Sequence, residues 1–379
     1  MQKRKYQICN NCVMDTSDYL INFDYNGICD HCITFKKHTL SNWLKGNAAE
    51  KALAKYVSLI KNSGKNKEYD CVLGVSGGID SSYLTYLVKK KLNLRPLVFH
   101  VDAGWNTQIA VNNIEKLVDG LDLDLYTEVI NWEEVKDLQL AYFKSGVSNI
   151  DVPQDHAFFA TMYKFALDND IKYILTGGNL STECVRNPLE WMYYQSDSIQ
   201  LKDIHKKFGT KSLDTYPITS VLWHKLYLPY IKKIKVLRLL DFVDYNKENA
   251  SELLTKKFGW QVYQQKHFES RFTKFYEGYW LPKRFGYDTR RVQFSSLILT
   301  DQMTRSVALK QLQHSPLQEN EIKIESEYVS RKLGISMDQL DEYMNLQLKT
   351  YKDYKNEAWI YNIGAKILKR IGVEVGGKR

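Results

Sequence analysis

Asp70-Cys71-Val72-Leu73-Gly74-Val75-Ser76-Gly77-Gly78-Ile79-Asp80-Ser81-Ser82-Tyr83-Leu84 is the stretch on which the fold turns. Val72, Leu73 and Val75 form a short apolar run, which predicts a buried parallel strand. Ser76 to Asp80 is small, polar and glycine-bearing, and from Ser81 onward Tyr83, Leu84, Tyr86, Leu87 and Val88 recur at helical spacing. A glycine turn between strand and helix leaves backbone N–H groups free at the positive helix end, a site suited to phosphate. Val75 carries the strand into the turn, Gly77 and Gly78 let the backbone approach an anion, and Ser76, Ser81 and Ser82 add hydroxyl donors. No Gly-Lys-Ser/Thr closes the turn, so it is not a Walker A loop.

Outward from this stretch, strands alternate with helices. Leu97 to Val101 predicts a second strand ending at Asp102, Leu123 to Ile130 a third, and Ile171 to Thr176 a fourth ending in Gly177-Gly178-Asn179. Helices are expected over 106–118, 132–143 and 157–167. This alternation implies an α/β fold with a parallel sheet and right-handed crossovers. Ligands of such sheets bind at the carboxyl ends of strands, where Ser76, Asp102 and Gly177 all fall. Asp102 is a candidate for Mg²⁺ or ribose, with a plain turn aspartate as the alternative. Glu183 points either into the site or at the surface. Beyond residue 200 the pattern becomes helical, over 231–242, 247–258, 293–299 and 304–313, and onward to about residue 371.

Cys9-x2-Cys12 and Cys29-x2-Cys32 stand sixteen residues apart, the spacing of a two-knuckle, four-cysteine zinc site. Tyr19, Ile21 and Phe23 alternate as in a hairpin strand, and Asn26-Gly27 supplies a turn. Four thiolates leave no open coordination position, which makes a structural Zn²⁺ the expected ion and an iron–sulfur cluster the alternative.

Hydrophobic content of 44% and charged content of 26% are those of a globular enzyme. No signal-peptide core follows Met1-Gln2-Lys3-Arg4-Lys5, and no apolar run reaches membrane-spanning length. A cytoplasmic protein without membrane insertion is expected, in which six cysteines serve metal or thiol chemistry rather than disulfides. The net charge of +9 concentrates in 201–240, with nine Lys/Arg against two Asp, and in 256–291, with nine against three acids. Such a surface suits an anionic partner: ATP, a nucleotide-linked substrate or RNA.

Ser76, Gly77, Gly78, Asp80 and Ser81 resemble the Ser-Gly-Gly-x-Asp-Ser signature of the PP-loop ATP pyrophosphatases, also called adenine nucleotide α-hydrolase-like. In that family the loop holds the pyrophosphate of ATP while a substrate oxygen attacks the α-phosphorus. The four-cysteine ribbon, Thr176-Gly177-Gly178-Asn179, Lys266-His267-Phe268-Glu269-Ser270, Lys283 to Arg291 and Ser295-Ser296-Leu297-Ile298 extend the resemblance to N-acetyl sugar amidotransferases of the pseudaminic acid type. It covers nearly the whole chain. It implies a zinc ribbon over 1–40, a connecting helix and linker over 41–66, a PP-loop domain over 67–200 and a helical substrate-binding region over 201–379.

The implied activity is adenylation of the acetamido oxygen of a nucleotide-linked sugar, followed by displacement of AMP by ammonia, with ATP and Mg²⁺ as cofactors. The resemblance assigns catalysis to Asp80, Ser81 and Lys283. ATP binding falls to Val75, Ser76, Gly77, Gly78, Asp80, Ser81, Ser82, Asp102 and Gly177. Substrate binding falls to Glu183, Lys266, His267, Glu269, Arg271, Arg290 and Arg291. Neither Cys71 nor Cys184 sits in a Gly-x-Cys-x-Gly elbow, so ammonia is expected from a separate glutaminase or as free ammonium. No nucleic-acid partner is expected. The alternative is a tRNA-thiolating enzyme sharing the ribbon and the PP-loop, in which Cys184 would carry sulfur.

Overall fold

The computed structural model describes residues 4–370, the last six by backbone alone, so the chain's first three residues and the expected helical end near residue 371 lie outside the described residues. Five parallel strands form one sheet: β1 Cys71–Gly74, β2 Pro96–Asp102, β3 Leu125–Val129, β4 Tyr173–Leu175 and β5 Lys235–Leu237. Their order is β3-β2-β1-β4-β5, so the chain winds one way from β1 and the other way after β4. The switch point lies between β1 and β4, where an open sheet leaves a crevice at its carboxyl edge. Both strands that carry glycine turns end there.

Alternation along the strands sends side chains to two separate cores. Val72 and Ile174 join one apolar cluster, while Leu73 and Leu175 join the other. Helix Val152–Asp168 covers the first face through Met162 and Ala166. Helices Gly46–Ser63, Ile79–Tyr86 and Gln108–Leu121 cover the second through Ile60, Leu84 and Leu117. The segment expected as a connector over 41–66 is therefore partly core. Its Ile60 is fully buried under the sheet.

The structure departs from the sequence reading at β5. A helix was expected over 231–242, but a π-helical segment ends at Ile231, Lys235–Leu237 pairs with Tyr173–Leu175, and Leu239–Phe242 forms a 3₁₀ turn. Three residues are too few to show alternation. What recruits them is the free edge of β4, whose backbone groups need partners. The sheet thus takes a strand from beyond the boundary expected at residue 200.

The N-terminal ribbon is held by isolated antiparallel bridges, Ile8 with Asp15 and Phe23 with Cys29, rather than by a hairpin strand over 19–23. The expected turn at Asn26-Gly27 is present, with Gly27 at φ +74° and its N–H donating to the Asp24 carbonyl at 2.9 Å. The ribbon docks on the C-terminal helices Arg290–Leu299 and Arg305–Leu312. Arg305 donates to the carbonyls of both Cys9 (2.7 Å) and Cys12 (3.0 Å). Arg291 pairs with Asp15 at 3.0 Å, and the Val13 N–H donates to Ser295 Oγ at 3.2 Å. Among the described residues no helix is long and apolar enough to cross a membrane.

Candidate active site

The turn after β1 is built by its own small side chains. Ser76 N–H donates to Ser81 Oγ at 3.3 Å, Gly78 N–H to Ser76 Oγ at 3.3 Å, and Ser81 Oγ–H to the Gly78 carbonyl at 3.2 Å. These bonds shape the backbone at the start of helix Ile79–Tyr86. Gly77 sits at φ +81°, and a Cβ there would lie 2.7 Å from the Ala110 carbonyl oxygen, so both conformation and space require glycine. Gly177 is equally constrained: a Cβ would stand 2.6 Å from the Ser81 nitrogen. The ends of β1 and β4 thus meet backbone to backbone.

A cavity of about 320 Å³ opens over this junction, lined by Val75, Ser76, Gly78, Asp80, Ser81 and Gly177, and by Glu183, Lys266, His267 and Glu269. The late block of the chain therefore closes the early turn. Lys266 Nζ lies 3.1 Å from Asp80 Oδ2 and 2.6 Å from Glu183 Oε1. Glu269 accepts from Ser76 Oγ at 3.2 Å and crowds Gly78, where a Cβ would stand 2.7 Å from its carboxylate.

Burial alone would raise the Asp80 pKa. The Lys266 charge, a 2.5 Å hydrogen bond from the Tyr245 hydroxyl and the Lys247 charge hold it below the ordinary carboxylate value instead. Burial opposes the Lys266 charge as well, but Asp80 and Glu183 outweigh it and raise that pKa. Lys247 goes the other way, lowered by burial.

On the far wall, His267 has φ +68° and its Nδ1 lies 3.0 Å from Glu277 Oε1. Burial works against its proton, yet the Glu277 carboxylate raises the imidazole to about 9. Asp155, behind it, is pushed by burial up to about 7.

Several expected site residues stand elsewhere. Asp102 spends its carboxylate on the Gly104 N–H at 2.7 Å and lines neither cavity, which makes it the turn aspartate. Ser82 is fully buried and accepts from the Trp260 indole at 3.2 Å. Gly77 shapes the turn without lining the space, its carbonyl taken by Tyr263 at 3.2 Å. Lys283 is exposed and lines neither cavity, so its position does not support a catalytic role. Arg271 is bound to Glu325 at 2.8 Å and stacks on Tyr328, and Arg291 serves the ribbon. Arg290 is held by Asp288 at 2.6 Å and by the His314 carbonyl, and it lines a second cavity of about 460 Å³. That space adjoins the first, since Lys247, Gln265 and Lys266 line both.

Sequence reasoning missed Lys247, Tyr245, His100 and Asn106. None stands in a motif, and each reaches the site through tertiary packing. The Tyr245–Asp80 contact spans 165 residues, a separation no local signal reports.

The four cysteines expected as metal ligands come together. The sulfurs of Cys9, Cys12, Cys29 and Cys32 lie within 4.8 Å of one another, and all four residues are buried. Three of the separations are 3.8, 3.6 and 3.6 Å. A tetrahedral ion with metal–sulfur bonds of about 2.3 Å requires about 3.8 Å between sulfurs. The N–H groups of Asn11 and Met14 point at Cys9 and Cys12 sulfurs at 3.4 Å, as suits thiolate charge. The donor set fits one closed four-coordinate ion. Cys184 stands outside both cavities, its thiol turned to the Ser296 carbonyl at 3.7 Å.

Residues 269–368 match the family described as the C-terminal domain of WbpG-like LPS biosynthesis proteins. An uncharacterized protein of Methanocaldococcus jannaschii is 30% identical over 118 residues, which span 31% of this chain and 40% of that relative's length. Among solved structures, the NH3-dependent NAD synthetase of Campylobacter jejuni is similar at 14% identity, covering 79% of this chain and 98% of its own, with a TM-score of 0.30. The NMN synthetase of Francisella tularensis stands at 18%, 61% and 93%, with a TM-score of 0.28. The U34-tRNA thiolase NcsA of Methanococcus maripaludis, with its [4Fe-4S] cluster, stands at 11%, 70% and 80%, with a TM-score of 0.31. At these scores the three structures carry no part of the functional reading.

Three outcomes follow from the geometry. On the sequence-based expectation that this turn holds ATP, Gly77→Val abolishes ATP binding, measured by titration calorimetry, because its side chain meets the Ala110 backbone, while bound metal stays at the wild-type level. Cys29→Ser lowers bound metal, read by elemental analysis, and destabilises the ribbon because metal binding and folding are coupled. The His267–Glu277 pair stabilises the fold fully below the unfolded imidazole pKa of about 6.5. That contribution is lost as pH rises through about 9, so melting temperature falls across this window. Glu277→Gln flattens that part of the curve.

Proposed function

We infer that the chain uses ATP to modify a sugar, from a glycine turn resembling the PP-loop at the switch point of a five-stranded parallel sheet and from the match of residues 269–368 to the WbpG-like LPS biosynthesis family. The finer reading is that of an N-acetyl sugar amidotransferase. The observation that carries it is Glu269. The first residue of the WbpG-like domain lies 3.2 Å from Ser76 of the phosphate turn, so that domain supplies a wall of the nucleotide cavity.

An acetamido oxygen leaves poorly as hydroxide, so exchanging C=O for C=NH calls for a phosphorus on that oxygen first. The oxygen forms a bond to the α-phosphorus of ATP as the bond to pyrophosphate breaks, and pyrophosphate departs with the electron pair. Ammonia then adds to the imidate carbon, the C–O bond breaks, AMP leaves with that pair, and the surplus proton passes to solvent. The preorganised N–H groups of the turn and the hydroxyls of Ser76 and Ser81 meet the charge on the leaving pyrophosphate. Lys266, held by Asp80 and Glu183, offers a fixed cation one ion pair from that turn.

Asp80 and Glu269 present the hard oxygen donors that would hold Mg²⁺, which supplies charge neutralisation at the phosphates. The four cysteines would hold a structural Zn²⁺ and tie the ribbon into one folded unit. A nucleotide-linked acetamido sugar is the acceptor in this reading, in the cytoplasm, where ATP is made. Ammonia comes from a separate glutaminase or from free ammonium. Pseudaminic acid or a related flagellar or surface glycan is the pathway class it implies. Transfer of sulfur to tRNA finds no support in the position of Cys184, which lies away from the nucleotide cavity.

The test is incubation with ATP, ammonium and a panel of UDP- and CMP-linked diacetamido sugars. AMP and pyrophosphate are the expected products, formed in step with an acetamidino sugar seen by mass spectrometry. Formation of ADP and phosphate, or turnover only with tRNA, overturns the reading.

A further inference from the structure

We infer that the second cavity seats the acceptor, so that its reacting oxygen meets ATP at the wall formed by Lys247, Gln265 and Lys266. The inference rests on the adenylation reading above and deepens it, because it assigns the two substrates to two adjoining spaces.

Position comes first. Lys266 Nζ is 3.1 Å from Asp80, which stands in the first turn of the helix that follows the phosphate turn. On this assignment pyrophosphate sits in that turn and the α-phosphorus one bridging oxygen further along, beside Lys247, Gln265 and Lys266, which line both cavities. A nucleophile reaching that phosphorus in line, opposite the departing pyrophosphate, comes from beyond the wall. The second cavity is the space there.

Its chemistry differs from that of the first. The nucleotide cavity carries the carboxylates of Asp80, Glu183 and Glu269, whereas no Asp or Glu lines the second. Gln264 and Gln311 offer side-chain amides, which donate and accept as sugar hydroxyls and acetamido groups require, and Gln293, whose Nε2 lies 3.5 Å from Glu277 Oε2, adds its amide oxygen. Lys247 and Lys266 bring positive charge for a phosphate handle, and Phe294 with Leu297 gives an apolar wall for a sugar ring or a methyl group. Arg290 is committed to Asp288 and to the carbonyls of Gln311 and His314, so it fixes the rim instead of adding a free charge. A space of about 460 Å³ with these groups is sized for a monomeric sugar nucleotide.

Helix Arg290–Leu299 supplies Gln293, Phe294 and Leu297 to this cavity, and the same helix carries Arg291 and Ser295, which hold the ribbon. One helix therefore serves both the acceptor wall and the ribbon, and Phe294 packs with Val13 of the ribbon.

The test uses the full metal-loaded chain and the sugar panel named above. Leu297→Trp fills the cavity and Gln293→Ala removes one amide, and neither residue lines the nucleotide cavity. ATP affinity by titration calorimetry stays within about twofold in both variants, while KM for the best sugar in pyrophosphate release rises about tenfold or more in Leu297→Trp and by less in Gln293→Ala, as for one lost hydrogen bond. Thermal unfolding and metal content confirm that each variant is folded, and if Leu297→Trp fails there, Gln293→Ala decides alone. A wild type that turns over a sugar while a folded variant keeps its KM overturns the cavity assignment only. A wild type inert with every sugar overturns the sugar reading, and the assignment with it.

Discussion

Lys266 between Asp80 and Glu183 is the contact on which the rest depends. Three parts of the chain meet in it: the helix after the first glycine turn, the short helix after the second, and the block that precedes the residues matching the WbpG-like family. A buried ammonium is costly unless a carboxylate accompanies it, and removing Lys266 would leave Asp80 without its nearest counter-charge. The contact brings residues 80, 183 and 266 to one place and, in doing so, sets Glu269 against the glycine turn at Ser76.

The metal ribbon at the N-terminus is far in sequence from this chemistry but close to it through packing. Arg305 and Arg291 bind the knuckle backbone and Asp15, and the buried Val292 and Trp191 join the cluster around the cysteines. The helix so anchored also forms the wall of the second cavity. A structural ion would thus act on the site through the position of one helix. This explains how a closed four-sulfur set, with no open position for a ligand, can matter for a cavity it does not line.

Two cavities of different lining share two lysines of unequal setting. Lys266 is held in ion pairs that raise its pKa, while burial lowers that of Lys247. The carboxylates of Asp80, Glu183 and Glu269 line the cavity over the glycine turn, and the amides of Gln264, Gln293 and Gln311 line the other.

The sequence by itself determined what is local. The strand-turn-helix of 71–86, the four cysteines and the glycine turn at 177–178 were legible because their chemistry needs fixed spacings within a few residues. Lys266, His267 and Glu269 were legible as a block, through resemblance, without any indication of what they touch. Only the tertiary structure decided that β5 exists, since a three-residue edge strand forms because β4 has backbone groups to satisfy. It alone placed Tyr245 on Asp80 and Lys247 in the same cavity. It also withdrew Asp102, Arg271, Arg291 and Lys283 from the site, because a charged side chain in sequence looks the same whether it serves a ligand, a turn, an ion pair or water. Partners tens to hundreds of residues away settle which, and a local reading has no access to them.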